Sequence, residues 1–130
     1  DESVEEMLRL CPSAFTRRRI TVKDKVIGSR QFRKGDEILL VIGSANRDET
    51  IFEKPNEALI GRKNAKRNLT LGRGFHYCIG AKLVKLEYVT IMQAIMEKYP
   101  NIQLDPAGSF HYPDNISIRA LRQLRVNLFS

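Results

Sequence analysis

Leu71-Gly72-Arg73-Gly74-Phe75-His76-Tyr77-Cys78-Ile79-Gly80 is the stretch on which the reading of this 130-residue chain turns. Three glycines bracket one thiol on a segment with no room for a packed core, and an apolar-periodic run opens directly behind it. The Cys78 sulfur is therefore expected at a helix N-terminus, where free backbone N–H groups and the positive dipole end favour thiolate over thiol. A thiolate in an electropositive, glycine-lined turn serves either to attack a substrate or to ligate a metal.

The neighbours separate those uses. A nucleophile needs a base and an oxyanion site, and no third residue in the run orients His76, so the pair makes a weak dyad. Structural zinc wants four ligands in paired spacings, whereas the chain holds two cysteines, Cys11 and Cys78, and two histidines, His76 and His111. An iron whose other ligands come from a porphyrin needs a single thiolate.

The run resembles the haem-ligand signature of the cytochrome P-450 haem-thiolate monooxygenases, an aromatic residue followed by Gly-x-Gly-x-His/Arg-x-Cys-x-Gly. Gly74, His76, Cys78 and Gly80 match, and Leu71 stands where the family usually has Phe. The resemblance implies haem b (iron protoporphyrin IX) as cofactor, Cys78 as the metal ligand, and Leu71, Gly72, Gly74 and Gly80 as the loop beneath it. Gly80 would let backbone N–H groups approach the sulfur. Arg18, in Phe15-Thr16-Arg17-Arg18-Arg19, matches a position that pairs with a haem propionate in bacterial soluble members, and His76 matches another. Strand alternation puts Arg18 opposite Arg17 and Arg19, which read as a solvated face.

Glu6-Met7-Leu8-Arg9 resembles the family's Glu-x-x-Arg helix, in which the two side chains share a face and lock onto a later arginine, here Arg62. Taken alone, such a pair reads as an exposed helical ion pair. The irregular polar stretch from Ala45 to Leu71 is long for a structureless loop, and the resemblance identifies it as the meander. Ala58 and Leu59 depart from the family's aromatic and Asp there, which predicts looser packing. Substrate-facing positions implied by the resemblance are Ser13 and Ala14, with Ile116 and Ile118.

Periodicity fills in the rest. Ser3 to Leu10 reads as a helix end, with Ser3 as cap, Glu6 completing a capping box and Pro12 stopping it. Ile20 to Ile27 reads as short extended pieces, and Glu37 to Ile42 as a buried strand of the same small sheet. Ile79 to Tyr99 is a long helix with a broad apolar face, in which Met92 and Met96 read as core filler. The alternation Leu124, Val126, Leu128 suggests a terminal strand or β-hairpin. The expected fold class is α+β, a single partial domain over 1–130: Glu-x-x-Arg helix, small β-sheet, meander, Cys-ligand loop, long helix and C-terminal β-hairpin, the C-terminal part of the cytochrome P-450 fold.

Composition sets the frame: 42% hydrophobic and 28% charged residues describe an ordinary globular piece. No apolar run reaches about eighteen residues and no leader precedes the first helix, so neither a membrane span nor a signal peptide is expected. Two distant cysteines give no disulfide framework, and cytoplasm is the expected compartment. The net charge of +7 calls for an acidic partner. No nucleic-acid-binding signature accompanies the scattered cations, so nucleic acid is not expected. Lys82 and Lys85, three apart on one polar face, lie near Arg73, and the resemblance implies an acidic ferredoxin- or flavodoxin-like electron donor there. The alternative for those three is a solvated helix face.

The function so implied is the haem-binding portion of a monooxygenase that activates dioxygen and hydroxylates a small organic substrate. Asp1 opens the chain without a methionine, and the family's distal haem face and proton-delivery pair find no counterpart. The chain is therefore expected to be a fragment, inactive alone. The competing expectation is a non-catalytic remnant that self-associates or binds a partner through exposed apolar faces.

Overall fold

The computed structural model describes residues 2–129 and has an α+β architecture. Helix α1 covers Glu2–Leu10, with Glu2 and Glu5 in its first turn and Arg9 in its last, each at the favourable end of the dipole. Helical backbone already runs through Glu2, so Ser3 lies inside the first turn and not at the cap the sequence suggests.

Four strands follow: β1 (Thr16–Ile20), β2 (Lys25–Ile27), β3 (Arg30–Phe32) and β4 (Glu37–Val41). β1 and β4 pair antiparallel, with Thr16 opposite Val41 and Ile20 opposite Glu37. β2 and β3 form a separate hairpin, so the expected small sheet is two two-stranded ladders. The strand expected to be buried is not: Leu39 and Leu40 keep 47% and 40% of their surface exposed. A two-stranded ladder has no layer to cover both faces. Ile42 leaves the strand, opens the short helix α2 (Ile42–Ala45) and is buried there. Gly43 leaves room for the Phe15 ring beside it, because a Cβ on it would lie 2.0 Å from that ring.

Residues 46–71 are coil with one tight helical turn, Ala65–Arg67. A second such turn, Gly74–His76, sits inside the Cys78 loop, and helix α3 then runs from Ala81 to Lys98. Ala81 alone is buried along α3, while Leu83, Leu86, Ile91 and Met96 are each more than half exposed. Met92 and Met96, expected as core filler, are 39% and 62% exposed, since among the described residues no second layer packs on that face.

The C-terminal hairpin takes a different form from the one the alternation suggests. β5 (Gln103–Leu104) pairs with β6 (Val126–Asn127), and Ile118 bridges back to Ala14. The chain end is thus tied to the segment after α3 and to the entrance of β1. Buried residues divide almost evenly between apolar ones (Val4, Ile42, Phe52, Ala65, Ala81) and polar ones (Glu5, Glu6, Arg9, Thr16, Asn46, Asn68). The centre of the molecule is a polar knot, and it lies at the end of α1 next to the Cys78 loop.

Candidate functional site

Glu6, Arg9 and Arg62 meet as the spacing suggests. Arg9 donates from Nε to Glu6 Oε2 at 2.7 Å and from Nη2 to Glu6 Oε1 at 2.8 Å, a bidentate pair with both side chains all but fully buried. Arg62 Nε adds donations to the two Glu6 oxygens at 3.0 and 3.1 Å, and the Leu59 N–H a further one at 3.0 Å. Burial by itself would raise the Glu6 carboxyl. The hydrogen bonds from Arg9, Leu59 and Arg62 outweigh it and bring the group from 4.5 down to about 2.

The rest of the Arg9 fork reaches the coil, donating to the carbonyls of Asn46 (2.9 Å), Pro55 (2.7 Å) and Glu57 (3.1 Å). Its guanidinium stacks 5.1 Å from the Phe52 ring centroid, and Phe52 is 1% exposed. An aromatic face is thus supplied to the knot by Phe52. No buried side-chain nitrogen or oxygen lacks a partner among the described residues.

Asn46 and Thr70 link this knot to the cysteine loop, and sequence reasoning missed both. Asn46 Nδ2 donates to the Arg9 carbonyl at 3.0 Å and to Thr70 Oγ1 at 2.9 Å, and its Oδ1 accepts from the Leu69 N–H at 2.8 Å. Thr70 Oγ1 donates to the Leu8 carbonyl at 2.6 Å. The signal available was an Asn four residues past the end of an apolar run at Ile42, a residue that favours bonding to nearby backbone.

The loop then turns on Gly72, whose φ of 75° and whose position, with a Cβ there only 2.7 Å from the His76 carbonyl oxygen, exclude any side chain. The Cys78 N–H donates to the Leu71 carbonyl at 2.8 Å, and the Cys78 carbonyl accepts from the Ala81 N–H at 3.1 Å, three residues before α3 proper takes over. Gly74 also has positive φ, at 63°. Gly80 does not, and a Cβ there would stand 3.8 Å from the Cys78 sulfur, an ordinary contact. Close approach is therefore demanded at Gly72 and not at Gly80.

Cys78 is a half-buried free thiol on a cavity of about 680 Å³. Apolar walls from Leu8, Leu40, Ile42, Leu69, Leu71 and Val84 surround it, and Arg17, Arg19, Arg73 and His76 bring nitrogen donors. Arg18 is absent from this wall. Its guanidinium pairs with Glu37 on the outer face of the ladder, with 67% of the side chain exposed. The strand register, Arg17 opposite Leu40 and Arg19 opposite Ile38, turns Arg17 and Arg19 inward. The alternation holds, but the face toward the cavity carries Arg17 and Arg19 and not the expected Arg18.

Ser13 and Ala14 line the same cavity. Ile116 and Ile118 do not; they line a separate cavity of about 300 Å³ with Phe15, Tyr112 and Arg119. The two segments still touch, through Thr16 Oγ1 to the Ile116 carbonyl at 3.0 Å and Phe15 N–H to the Ser117 carbonyl at 2.9 Å. Behind the loop, Arg73 and Lys85 share a second cavity with Lys66 and Tyr77, of about 430 Å³. Lys85 is turned toward α1, where it pairs with Glu5, so it is not a freely solvated cation. Lys82 is exposed one turn away. Among the described residues no group of three or more His, Cys, Asp or Glu side chains gathers to hold a metal, and no helix is long and apolar enough to cross a membrane.

With one sulfur, a set of cations and apolar walls on a single cavity, the comparison with known proteins becomes decisive. The cytochrome P450 family model matches residues 1–121. The chain belongs to the cytochrome P450 family. It is 34% identical over 128 residues to the polyketide biosynthesis cytochrome P450 PksS of Bacillus subtilis, covering 97% of this chain and 31% of that protein. Cytochrome P450(BM-1) of Priestia megaterium is 34% identical over 94% of this chain and 29% of its own length. Among solved structures, cytochrome P450 CREJ superposes with a TM-score of 0.94 at 35% identity, over 99% of this chain and 32% of that one. The haem domain of CYP116B5 from Acinetobacter radioresistens gives 0.95 at 34% identity, over 98% and 31%. The chain thus spans about a third of the length of the P450s it matches, and its α+β arrangement is the C-terminal part of their fold.

Proposed function

We propose that these residues form the thiolate-side wall of a haem b pocket, with Cys78 Sγ as the protein's ligand to the iron, in a monooxygenase acting on a small organic substrate. The observation that carries this reading is the shared cavity: one accessible sulfur, cationic donors at the rim and apolar walls between them. That donor set suits a flat apolar ring with a soft-ligand metal at its centre and carboxylates at its edge. Phe75 and Ile79, fully exposed on either side of the cysteine, are apolar surface that such a ring would cover. Haem, when bound, supplies the dioxygen chemistry.

The chain's own residues hold and orient. Gly72 and the Cys78-to-Leu71 hydrogen bond fix the sulfur's direction, and the Asn46–Thr70 link anchors the loop to α1. Arg19 and His76 are the donors for the propionates, Arg19 replacing Arg18 in that role. Ser13 and Ala14 face the substrate side. Arg73, with Lys66 and Lys82, offers the cationic surface for an acidic ferredoxin- or flavodoxin-like electron donor, and Lys85 serves α1 instead.

Titrating haemin into the purified protein and reducing it under carbon monoxide tests the reading. A long-wavelength Soret band of thiolate-ligated iron is expected, and Cys78→Ser removes it; a band that survives the substitution, or none in the wild type, sinks the proposal. The bare face of α3 supports a second reading for these 130 residues by themselves, self-association through Leu83, Leu86, Ile91 and Met96. Light scattering decides it, since a clean monomer excludes it.

A further inference from the structure

The cavity wall beside Cys78 carries more positive charge than a haem edge needs. Three guanidiniums and an imidazole line it and, among the described residues, no carboxylate does. Arg73 is drawn partly away, its Nη2 donating to the Lys66 carbonyl behind the loop at 3.3 Å. His76 and Arg19 then suffice for two propionates. With Arg19 assigned to a propionate, Arg17 is left over: among the described residues each bonds only the preceding carbonyl, Arg17 Nη1 to Thr16 at 3.0 Å and Arg19 Nη1 to Arg18 at 2.9 Å, and neither makes an ion pair.

Its position along β1 gives the surplus cation a direction. Arg17 and Arg19 share one face, about 7 Å apart along the strand, and Arg17 is the one nearer Ser13 and Ala14 on the same cavity. It projects beside the apolar side chains of Leu40 and Ile42. A planar guanidinium at the edge of an apolar wall is matched by a carboxylate or phosphate, which it grips with two parallel hydrogen bonds.

We propose that Arg17 anchors the substrate, selecting a small organic anion, a carboxylate or phosphate monoester carried on an apolar body; the proposal rests on the haem reading above. Dodecanoate, dodecyl phosphate and dodecanol share one apolar body and differ in the head group. Their affinities for the haem-loaded protein are read by calorimetry and by displacement of the Soret band. The anions are expected to bind at least tenfold tighter than the alcohol, and whichever anion leads identifies the head group. Arg17→Gln removes the preference, leaves dodecanol binding and the thiolate band unchanged, and Arg17→Lys restores part of it. Equal binding of all three ligands overturns the proposal, as does an Arg17→Gln protein that weakens the alcohol as much as the acid. Loss of haem from Arg17→Gln overturns it too, by making Arg17 a cofactor residue. Failure of the haem reading has its own signature, a wild-type protein with no thiolate band, and calorimetric discrimination among the ligands is read independently of that band.

Discussion

The end of α1 and the exposed face of α3 differ in what these residues, about a third of the length of the P450s they match, enclose by themselves. At α1, charged and amide side chains, Glu6, Arg9 and Asn46, are buried among coil carbonyls with every partner supplied. Along α3, aliphatic side chains stand in solvent. Burial at α1 is thus matched by hydrogen-bond complementarity, beside a smaller apolar set of Val4, Ile42, Phe52, Ala65 and Ala81. Coil cannot satisfy its own carbonyls by a repeating ladder, so a buried coil needs a multidentate donor at its centre, and Arg9 is that donor.

The sharpest way to break the contrast is Arg9→Met. Removing it strands the Glu6 carboxylate and several coil carbonyls without their donor, and about 3–5 kcal/mol of stability is expected to go. Circular dichroism during urea titration should show no cooperative transition left. The double variant with Glu6→Gln should recover part of it; a single variant that melts like the wild type would show that the knot is ornamental. Acid attacks the same point. Because the Glu6 carboxyl is held at about 2 against 4.5 when free, its contribution is complete above pH 4.5 and is lost as pH falls toward 2. The loss is on the order of 3 kcal/mol, visible as a falling urea midpoint across that window and abolished in Glu6→Gln.

The two regions are joined by an ion pair, Glu5 with Lys85, whose side chains are 11% and 34% exposed. Lys85→Ala should cost no more than about 1 kcal/mol, and a larger loss in thermal unfolding would mean that α3 depends on α1 more than its bare face implies. Smallest of all is Met96→Gln on that face. Stability should stay within about 0.5 kcal/mol, while the mass by light scattering falls toward that of a monomer. A strongly destabilised Met96→Gln would mean that the face is covered after all.

What could be read in advance divides along the same line. The Cys78 loop was legible because glycines, a thiol and a following helix carry their reasons locally. Glu6, Arg9 and Arg62 were legible once their order relative to Cys78 was considered. Arg18 was misassigned because alternation gives two faces without saying which is inward; that depends on the pairing with β4. Met92, Met96 and Leu39 stand exposed among the described residues, because periodicity shows what a segment is able to bury without supplying the layer that covers it. Asn46 and Phe52 went unread since their partners, Arg9 above all, are remote in sequence.

The knot also has a consequence for how the chain is made. Glu6 waits for Arg62, 56 residues on, Glu5 for Lys85, 80 residues on, and Thr16 for the Ile116 carbonyl, 100 residues on. Contacts of such separation close slowly, because the loop entropy is lost before the contact is gained. During synthesis at about 5–20 residues per second, α1 therefore leaves the ribosome several seconds before its partners exist. For that interval its carboxylates and guanidinium belong in water, and a helix that was apolar at the same positions would have been free to aggregate. Charge at the heart of the fold is compatible with water until the residues that will enclose it arrive.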